Sequence, residues 1–270
     1  MKILYLHGNC IDNQSANIVQ VINMCQALSQ HGVKVVLALP ESKDPNFDNI
    51  EFITNLLGFP PDFIINTYKK ITIFGRLQIL GNIFGAYALL RKINADICFV
   101  RDPLLLLLAV NAGFQTIFEV HNSHFHNRID IFKKIWELVV LNVSRDDKLI
   151  KFVTISEALK EFWSEKGVPE HKLMVAHDGF NNKHFSELMT KHKARSILNL
   201  PQEKKIVAYT GSFNKDRGIE RIILLAERFT DVLFIVVGGN KQQQEYFTNL
   251  SDSLGIKNII WVRFIPQSEV

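Results

Sequence analysis

The stretch KILYLHGNCIDNQSANIVQVINMCQALSQHGVKVVLALP, residues 2–40, decides the fold class. Residues 2–7 form a short apolar run, which is typical of a buried strand. Residues 15–31 place apolar side chains at helical spacing, and residues 33–39 form a second apolar run. The stretch therefore predicts a strand–helix–strand unit with a parallel pair of strands and a right-handed crossover.

The same alternation of strands and helices continues along the chain. Further strands are predicted at residues 96–100, 116–121, 152–155 and 173–176, and helices at about 75–92, 129–144 and 157–166. Helices on both faces of a parallel sheet define a doubly wound α/β fold, which binds ligands beyond the carboxyl ends of its strands. We therefore expect functional residues directly after strands.

A second strand–helix series follows a polar stretch. We expect a first domain over 1–185, a linker with short helical turns over 186–203, and a second domain over 204–270. Its predicted strands are 205–210, 232–237 and 258–264, its helices 218–229 and 242–254, with a further helix beginning at the final residues. Since a complete sheet of this type has about six strands, we expect the second domain to be incomplete. A ligand site is expected in a cleft between the two domains.

Composition narrows the class of protein. Hydrophobic residues make up 47% and charged residues 21%, which is typical of a globular chain and excludes disordered and fibrous classes. Three scattered cysteines provide neither a disulfide framework nor a CxxC pair. The start lacks a secretory signal, and the longest uncharged apolar stretch, residues 77–90, is shorter than a membrane span of about 20 residues. We therefore predict a cytoplasmic protein.

The segment 61–95 carries the basic excess of the chain. Five bases and several aromatic residues stand against one acid, Asp62; the bases are Lys69, Lys70, Arg76, Arg91 and Lys92, and the aromatics are Phe63, Tyr68, Phe74, Phe84 and Tyr87. A basic amphipathic helix on an anionic membrane surface is one interpretation, and a domain helix with snorkelling bases is the other. Nucleic acid is not expected as a partner, because no known binding motif accompanies the charge.

The strongest local motif is YTGSFNKDRG, residues 209–218, which leaves a strand and enters a helix. Gly211 allows close approach of the backbone, the helix N-terminus offers free N–H groups, and Arg217 adds donors that match a phosphate. The motif predicts a diphosphate site or, equally, an ordinary turn with a solvated arginine. Gly239 follows the next strand and is either ligand-facing or part of a plain turn. No GxGxxG is present, so we expect no dinucleotide cofactor.

Several polar residues follow the strands of the first domain. His121 begins the run HNSHFH, and it is expected to donate to a substrate hydroxyl or stabilise charge, whereas His124 and His126 are expected on the loop surface. A metal site is not expected, partly because Glu119 is placed on the other side of the strand.

Two further turns after strands contain charged residues. Arg101 and Asp102 reach the ligand side or form a structural ion pair, and both interpretations stay open. Asp178 either positions a ligand or makes an Asx turn, and the turn is favoured. At the start of the first helix, Asn13 and Ser15 are both available as N-cap residues.

Eight phrases resemble, in order, the retaining glycosyltransferases of family 4 (group 1), which have two Rossmann-like domains in the GT-B architecture. They are SANIVQVINMCQALSQHGVKVVL, DICFVRDP, TIFEVHN, FVTISEALKEF, VAHDGFNNKHF, YTGSFNKDRGIERIILLAERF, FIVVGGN and NIIWVRFIPQSEV, and they cover the chain from end to end.

The resemblance implies a role for each matching position. The turn after the first strand of the second domain would hold the donor diphosphate, where Ser212 replaces the usual Arg and Arg217 replaces the usual Lys. The Gly-Gly pair of the family near the donor and acceptor is replaced by Ser15, Ala16 and Asn17. His121 matches the histidine that faces the reacting sugar. The family's pair of glutamates eight positions apart is not found before the sequence stops, which implies a fragment with weak or no activity.

The implied activity is transfer of a sugar from a nucleotide-sugar to an acceptor, with retention of configuration and without a metal or other cofactor. The acceptor would be a sugar or a lipid-linked or polysaccharide precursor, which fits an enzyme at the inner face of a membrane. Two alternatives stay open. One is a GT-B sugar-nucleotide epimerase, and the other is a non-catalytic sugar- or nucleotide-binding protein.

Overall fold

The computed structural model describes residues 1–11, 15–42, 44–69, 78–122, 130–179 and 189–265. The predictions for Asn13, for His124 and His126, for the domain boundary at 185 and for a helix in the final residues lie outside this range. The chain divides into two compact units, Met1–Phe180 and Asn181–Val270.

In its described residues, the first unit is built on a sheet of seven strands. They are β1 (Lys2–Leu6), β2 (Lys34–Pro40), β3 (Ile64–Tyr68), β4 (Ile97–Val100), β5 (Gln115–Val120), β6 (Leu149–Thr154) and β7 (Leu173–Val175). Their order is β3-β2-β1-β4-β5-β6-β7, and every pairing is parallel. The chain direction across the sheet reverses between β1 and β4, so the topological switch point of this doubly wound sheet lies there.

Helices cover both faces of this sheet. They are α1 (Ala16–Gln30), α2 (Asn49–Leu57), α3 (Gln78–Leu90), α4 (Pro103–Asn111), α5 (Asp130–Ser144) and α6 (Glu157–Glu165). Alternate residues of β1 enter different cores, because successive strand side chains point to opposite faces. Ile3 and Tyr5 pack with α1 and α2, whereas Leu4 and Leu6 pack with α3 to α6. The predicted doubly wound fold is confirmed.

Within the described residues of the first unit, one strand and two helices were not predicted: β3, α2 and α4. The β3 strand corrects the interpretation of segment 61–95 as one amphipathic helix, because Ile64–Tyr68 pairs with Val36–Pro40 of β2. Phe63 and Tyr68 are buried, so these two aromatic residues belong to the core rather than to an exposed face. The helical part of the segment is α3, which lies within the predicted range.

The second unit contains a smaller sheet. Its elements are α7 (Lys191–Ile197), β8 (Lys205–Gly211), α8 (Ile219–Arg228), β9 (Val232–Gly238), α9 (Lys241–Ser253) and β10 (Ile259–Val262). The strands are parallel in the order β10-β9-β8. Phe213, Ile223, Phe234, Val236 and Phe247 form the centre of its core. The predicted strand–helix order is confirmed, and α7 lies within the stretch predicted as a linker with short helical turns.

Among the helices of the described residues, none is both long enough and apolar enough to cross a membrane. The exact boundaries predicted for the two domains and the linker stay predictions.

Candidate functional site

The carboxyl edge of the first sheet gathers polar side chains at the switch point. The register pairs Leu6 with Val100 and Val100 with Phe118, so the next residues along the three strands are neighbours. These residues are His7, Arg101 and Glu119. His7 and Arg101 come two residues after Tyr5 and Phe99, which lie on the α1 side of the sheet. The rings of Tyr5 and Phe99 stack there with their centroids 4.8 Å apart.

Glu119 is the centre of this group. Its carboxylate is a buried acceptor, with the side chain 5% exposed, and it lies 3.5 Å from Arg101 Nε. Its Oε1 atom also contacts His121 Nε2 within hydrogen-bonding distance. The prediction that Glu119 lies on the other side of the strand from His121 is wrong, because residues two apart on a strand share a face. The charge of Arg101 and the ring N–H of His121 thus compensate the buried carboxylate.

The group extends to α1 and to the end of the first unit. Arg101 Nη2 donates a 3.1 Å hydrogen bond to Gln20 Oε1, and the Gln20 amide donates to Asp178 Oδ1. Asp178 is therefore held by α1, the helix at whose start the predicted residues Ser15, Ala16 and Asn17 lie. The interpretation of Asp178 as an Asx turn stays a prediction.

Ser15, Ala16 and Asn17 are exposed at the start of α1. Ser15 occupies the N-cap position, and its carbonyl accepts the first helical bonds, from Ile18 at 2.9 Å and Val19 at 3.0 Å. These residues lie about one helical turn before Gln20. The residues predicted to border the sugar acceptor are therefore next to the polar group around Arg101.

Two buried polar atoms of this group have no hydrogen-bond partner within the described part of the chain. They are His7 Nε2 and Arg101 Nη1. Burial, with the nearby charge of Arg101 as the smaller cause, lowers the pKa of His7 from 6.5 to about 4. His7 is therefore a neutral imidazole at the switch point at physiological pH.

The alternative of an Arg101–Asp102 ion pair is wrong in the described residues, where the partner of Arg101 is Glu119. Asp102 instead caps α4, because its Oδ1 accepts from the backbone N–H of Leu104 at 2.8 Å and of Leu105 at 3.2 Å. Burial raises the pKa of Asp102, and these two hydrogen bonds oppose that shift. Asp102 is therefore a helix cap, and only Arg101 belongs to the polar group.

The predicted donor turn lies at the carboxyl edge of the second sheet. Gly211 at the end of β8 pairs with Gly238 at the end of β9. A Cβ atom on Gly238 would lie 1.9 Å from Gly211 O, and one on Gly239 would lie 2.4 Å from the Phe213 ring. Only glycine allows this close approach of the two turns. The ends of β8 and β9 are thus adjacent, so the turns that carry Gly211 and Gly239 are neighbours, and the roles of these two glycines stay predictions.

Ser212 and Arg217 are exposed in the same turn. The Tyr209 hydroxyl donates to Ser212 O at 2.8 Å, which fixes the backbone of the turn. Arg217 lies in a 3-10 turn and precedes Gly218, which has a φ of 67° and is the N-cap residue of α8. The N-terminus of α8 has no side-chain cap, and the exposed Arg217 precedes it in the chain, so both are available to an anion.

Sequence reasoning missed four residues of these two groups: His7, Gln20, Glu119 and Arg221. The Arg221 side chain lies along the donor turn, since a Cβ atom on Gly218 would meet its Cδ at 3.3 Å. Its place in the first turn of α8, directly after the predicted donor turn, was a usable signal. Gln20 had no such signal, since its role depends on the contact between α1 and Asp178.

Two cavities of the described residues lie away from the predicted site residues. One of about 370 Å³ is lined by residues 45–50 with Ile65 and Thr67, and one of about 230 Å³ is lined mainly by α9 with Arg263. No group of three or more His, Cys, Asp or Glu residues suited to a metal ion occurs in the described ranges.

The sequence profile of Glycosyltransferase Family 4 matches residues 19–183, and that of Glycosyl transferases group 1 matches residues 190–270. Among curated proteins, none matches the sequence.

Solved structures of GT-B proteins match nearly the whole chain. Anabaena HepE in complex with UDP-glucose is 15% identical, with a TM-score of 0.68 over 98% of this chain and 69% of that one. Sucrose-phosphate synthase from Thermosynechococcus elongatus is 15% identical, with a TM-score of 0.73 over 99% and 71%. UDP-N-acetylglucosamine 2-epimerase from Rickettsia bellii is 13% identical, with a TM-score of 0.62 over 100% and 70%.

The two parallel sheets match the GT-B fold. Because the first profile covers more than half of its length, the chain belongs to Glycosyltransferase Family 4. The expected family and fold class are confirmed.

Proposed function

We propose that this glycosyltransferase takes its sugar from a nucleotide-sugar donor, retains the anomeric configuration, and passes the sugar to an acceptor held by the first unit. The observation that carries the proposal is the turn after β8. There Gly238 allows the ends of β8 and β9 to approach closely at Gly211, Gly239 leaves room for the Phe213 ring, and Arg217 stands exposed before α8. The solved complexes of HepE with UDP-glucose and with UDP support a nucleotide donor.

The proposed chemistry is displacement of a diphosphate. The bond between the anomeric carbon and the diphosphate oxygen breaks, its electron pair leaves with the diphosphate, and a bond to the acceptor oxygen forms on the same face. The acceptor proton leaves with the diphosphate. Arg217 and the N–H groups that begin α8 would stabilise the negative charge that develops, and no metal or cofactor is required for this.

His121 is proposed to contact the reacting sugar. Arg101, Asp178 and the exposed start of α1 with Ser15, Ala16 and Asn17 are proposed to border the acceptor. Their support is the chain of contacts from Asp178 through Gln20 and Arg101 to Glu119. Ser212 would contribute its backbone, which is already held by the Tyr209 hydroxyl.

Binding of nucleoside diphosphates tests the donor site. We expect UDP, GDP or ADP to bind the chain by titration calorimetry, and Arg217→Ala to weaken that binding by about tenfold, because a charge-assisted contact is lost.

Arg228→Ala is the matched control, because Arg228 is exposed on the last turn of the same helix, α8. It should bind as the unchanged chain does. Absence of binding by all three diphosphates, or equal loss in both variants, would contradict the donor site.

Product analysis separates the alternatives. Transfer yields a new glycoside and a free nucleoside diphosphate, whereas an epimerase returns an isomeric nucleotide-sugar without an acceptor. A binding protein yields neither product. An NMR coupling that shows an inverted anomeric centre would refute retention.

The acceptor is proposed to be a lipid-linked or polysaccharide precursor, reached at the inner face of a membrane. The support is a surface on and beside α3, which we call the α3 surface. It comprises the exposed aromatics Phe84 and Tyr87 and the exposed bases Lys69, Arg91 and Lys92. Aromatic and basic side chains together are suited to anionic lipid headgroups.

A further inference from the structure

We propose that Glu119 is a positioning residue, which holds the ring of His121 with its hydrogen on Nε2 and leaves Nδ1 as the nitrogen that meets the substrate. This inference rests on the proposed contact of His121 with the sugar. It goes beyond that contact, because it specifies which ring nitrogen acts and what kind of group that nitrogen accepts.

The contact itself defines the position of the hydrogen. His121 Nε2 lies within hydrogen-bonding distance of Glu119 Oε1. A carboxylate can only accept, so the ring nitrogen has to donate. The Glu119 side chain is 5% exposed and that of His121 is 19% exposed, so water competes little for this bond.

Glu119 is itself held from behind. Arg101 Nε lies 3.5 Å from the same Oε1 atom, and Arg101 Nη2 donates to Gln20 at 3.1 Å. Gln20 in turn donates to Asp178. The carboxylate therefore has an opposite charge beside it and little freedom to turn away from His121. A carboxylate that orients a histidine in this way selects one tautomer.

Nε2 of His121 is paired with Glu119, and the structure shows no hydrogen-bond partner for Nδ1 among the described residues. In the neutral ring with Nε2 protonated, Nδ1 carries a lone pair and accepts a hydrogen bond. The neutral His121 would therefore accept from a sugar hydroxyl. It would donate to a hydroxyl, the role predicted from the sequence, only as an imidazolium. The site would thus favour a substrate that presents a hydroxyl hydrogen to Nδ1 over a deoxy analogue.

Nitrogen NMR of the imidazole rings tests the tautomer without any need for turnover. In ¹⁵N-labelled full chain at a pH where the ring is neutral, the His121 signals, assigned by their loss in His121→Gln, should show the Nε2–H form. In Glu119→Gln, the ratio of Nε2–H to Nδ1–H should fall roughly tenfold, because an amide can either accept from or donate to Nε2. Glu119→Asp, an acceptor-only side chain, should restore part of the ratio.

The matched control is Glu137→Gln, which removes the α5 carboxylate that lies 2.6 Å from Lys166 Nζ. It should leave the His121 ratio unchanged. A predominant Nδ1–H form in the unchanged chain would overturn the inference, whether or not any variant folds. An unchanged ratio in a folded Glu119→Gln would also overturn it. Failure of the proposed function would appear separately, as loss of nucleotide binding or transfer with the tautomer intact.

Discussion

At the scale of single residues, His7 couples the switch point to the stability of the first unit. Burial holds its pKa at about 4 in the folded chain, against 6.5 when it is exposed. Between these values the unfolded chain binds a proton that the folded chain does not, so stability falls as the pH falls. The free energy of unfolding by urea should decrease from pH 7 to pH 4 by up to about 3 kcal/mol from this group alone.

The contribution of His7 is isolated with His7→Gln, which has no ionisable group. Its free energy of unfolding should depend less steeply on pH between 6.5 and 4 than that of the unchanged chain. Other groups that titrate in this range contribute to both chains alike. Parallel curves for the two chains would show that His7 does not carry the predicted penalty.

Residues that follow strands could be predicted from the sequence, because their position depends only on where the strand ends. Arg101 and His121 are examples, and both lie in the polar group. Glu119 could also have been predicted, because it lies two residues before His121 and residues two apart on a strand share a face. His7 and Gln20 required the pairing of β1 with β4 and the packing of α1, which no local pattern contains.

At the scale of elements, the turn that follows β9 packs on Phe213 because Gly239 has no Cβ atom. Gly239→Ala would place Cβ 2.4 Å from the Phe213 ring at a φ of 69°. Ring displacement adds to the backbone strain, so we expect a loss of about 2–4 kcal/mol in the stability of the second unit, measured by urea unfolding.

Gly255→Ala separates the effect of the clash with the Phe213 ring from the effect of backbone strain. Gly255 has a φ of 70° at the end of α9, and a Cβ atom there meets nothing within 4 Å. This variant has the same backbone strain without the clash and should lose about 1 kcal/mol. Equal losses of stability in the two variants would mean that the Phe213 ring moves aside without a loss of free energy.

Most strands could be predicted from apolar runs, but two kinds of element could not. The helix α4, PLLLLLAVN, is apolar on all sides and has no helical period, although Asp102 as N-cap and Pro103 at the first position were usable signals. The strand β3, IINTY, is short and has exposed as well as buried residues because it lies at the sheet edge. Because its neighbours are basic and aromatic, the strand was included in a segment that was interpreted as an amphipathic helix.

At the scale of the whole molecule, the α3 surface predicts attachment to anionic membranes. The triple variant Lys69→Glu, Arg91→Glu and Lys92→Glu should bind vesicles that contain phosphatidylserine roughly a hundredfold more weakly in co-sedimentation. The reason is that each base near a charged surface contributes about 1 kcal/mol.

A control with the same change in net charge is Lys191→Glu, Lys193→Glu and Lys204→Glu, three exposed positions in the second unit. It should retain vesicle binding if the α3 surface makes the contact. Equal weakening in both triple variants would indicate attraction by overall charge, and no binding by the unchanged chain would refute membrane attachment.

The pairing of β1 with β4 has a consequence for the order in which the protein is made. Lys2 N–H donates to Asp96 across the sheet, a separation of 94 residues. During synthesis β1 leaves the ribosome early and can pair with β2, but its other edge waits until β4 emerges. The central strand is thus half-paired while more than fifty residues are translated. Nascent chains stalled before residue 97 should therefore need chaperone protection that chains stalled after β5 do not.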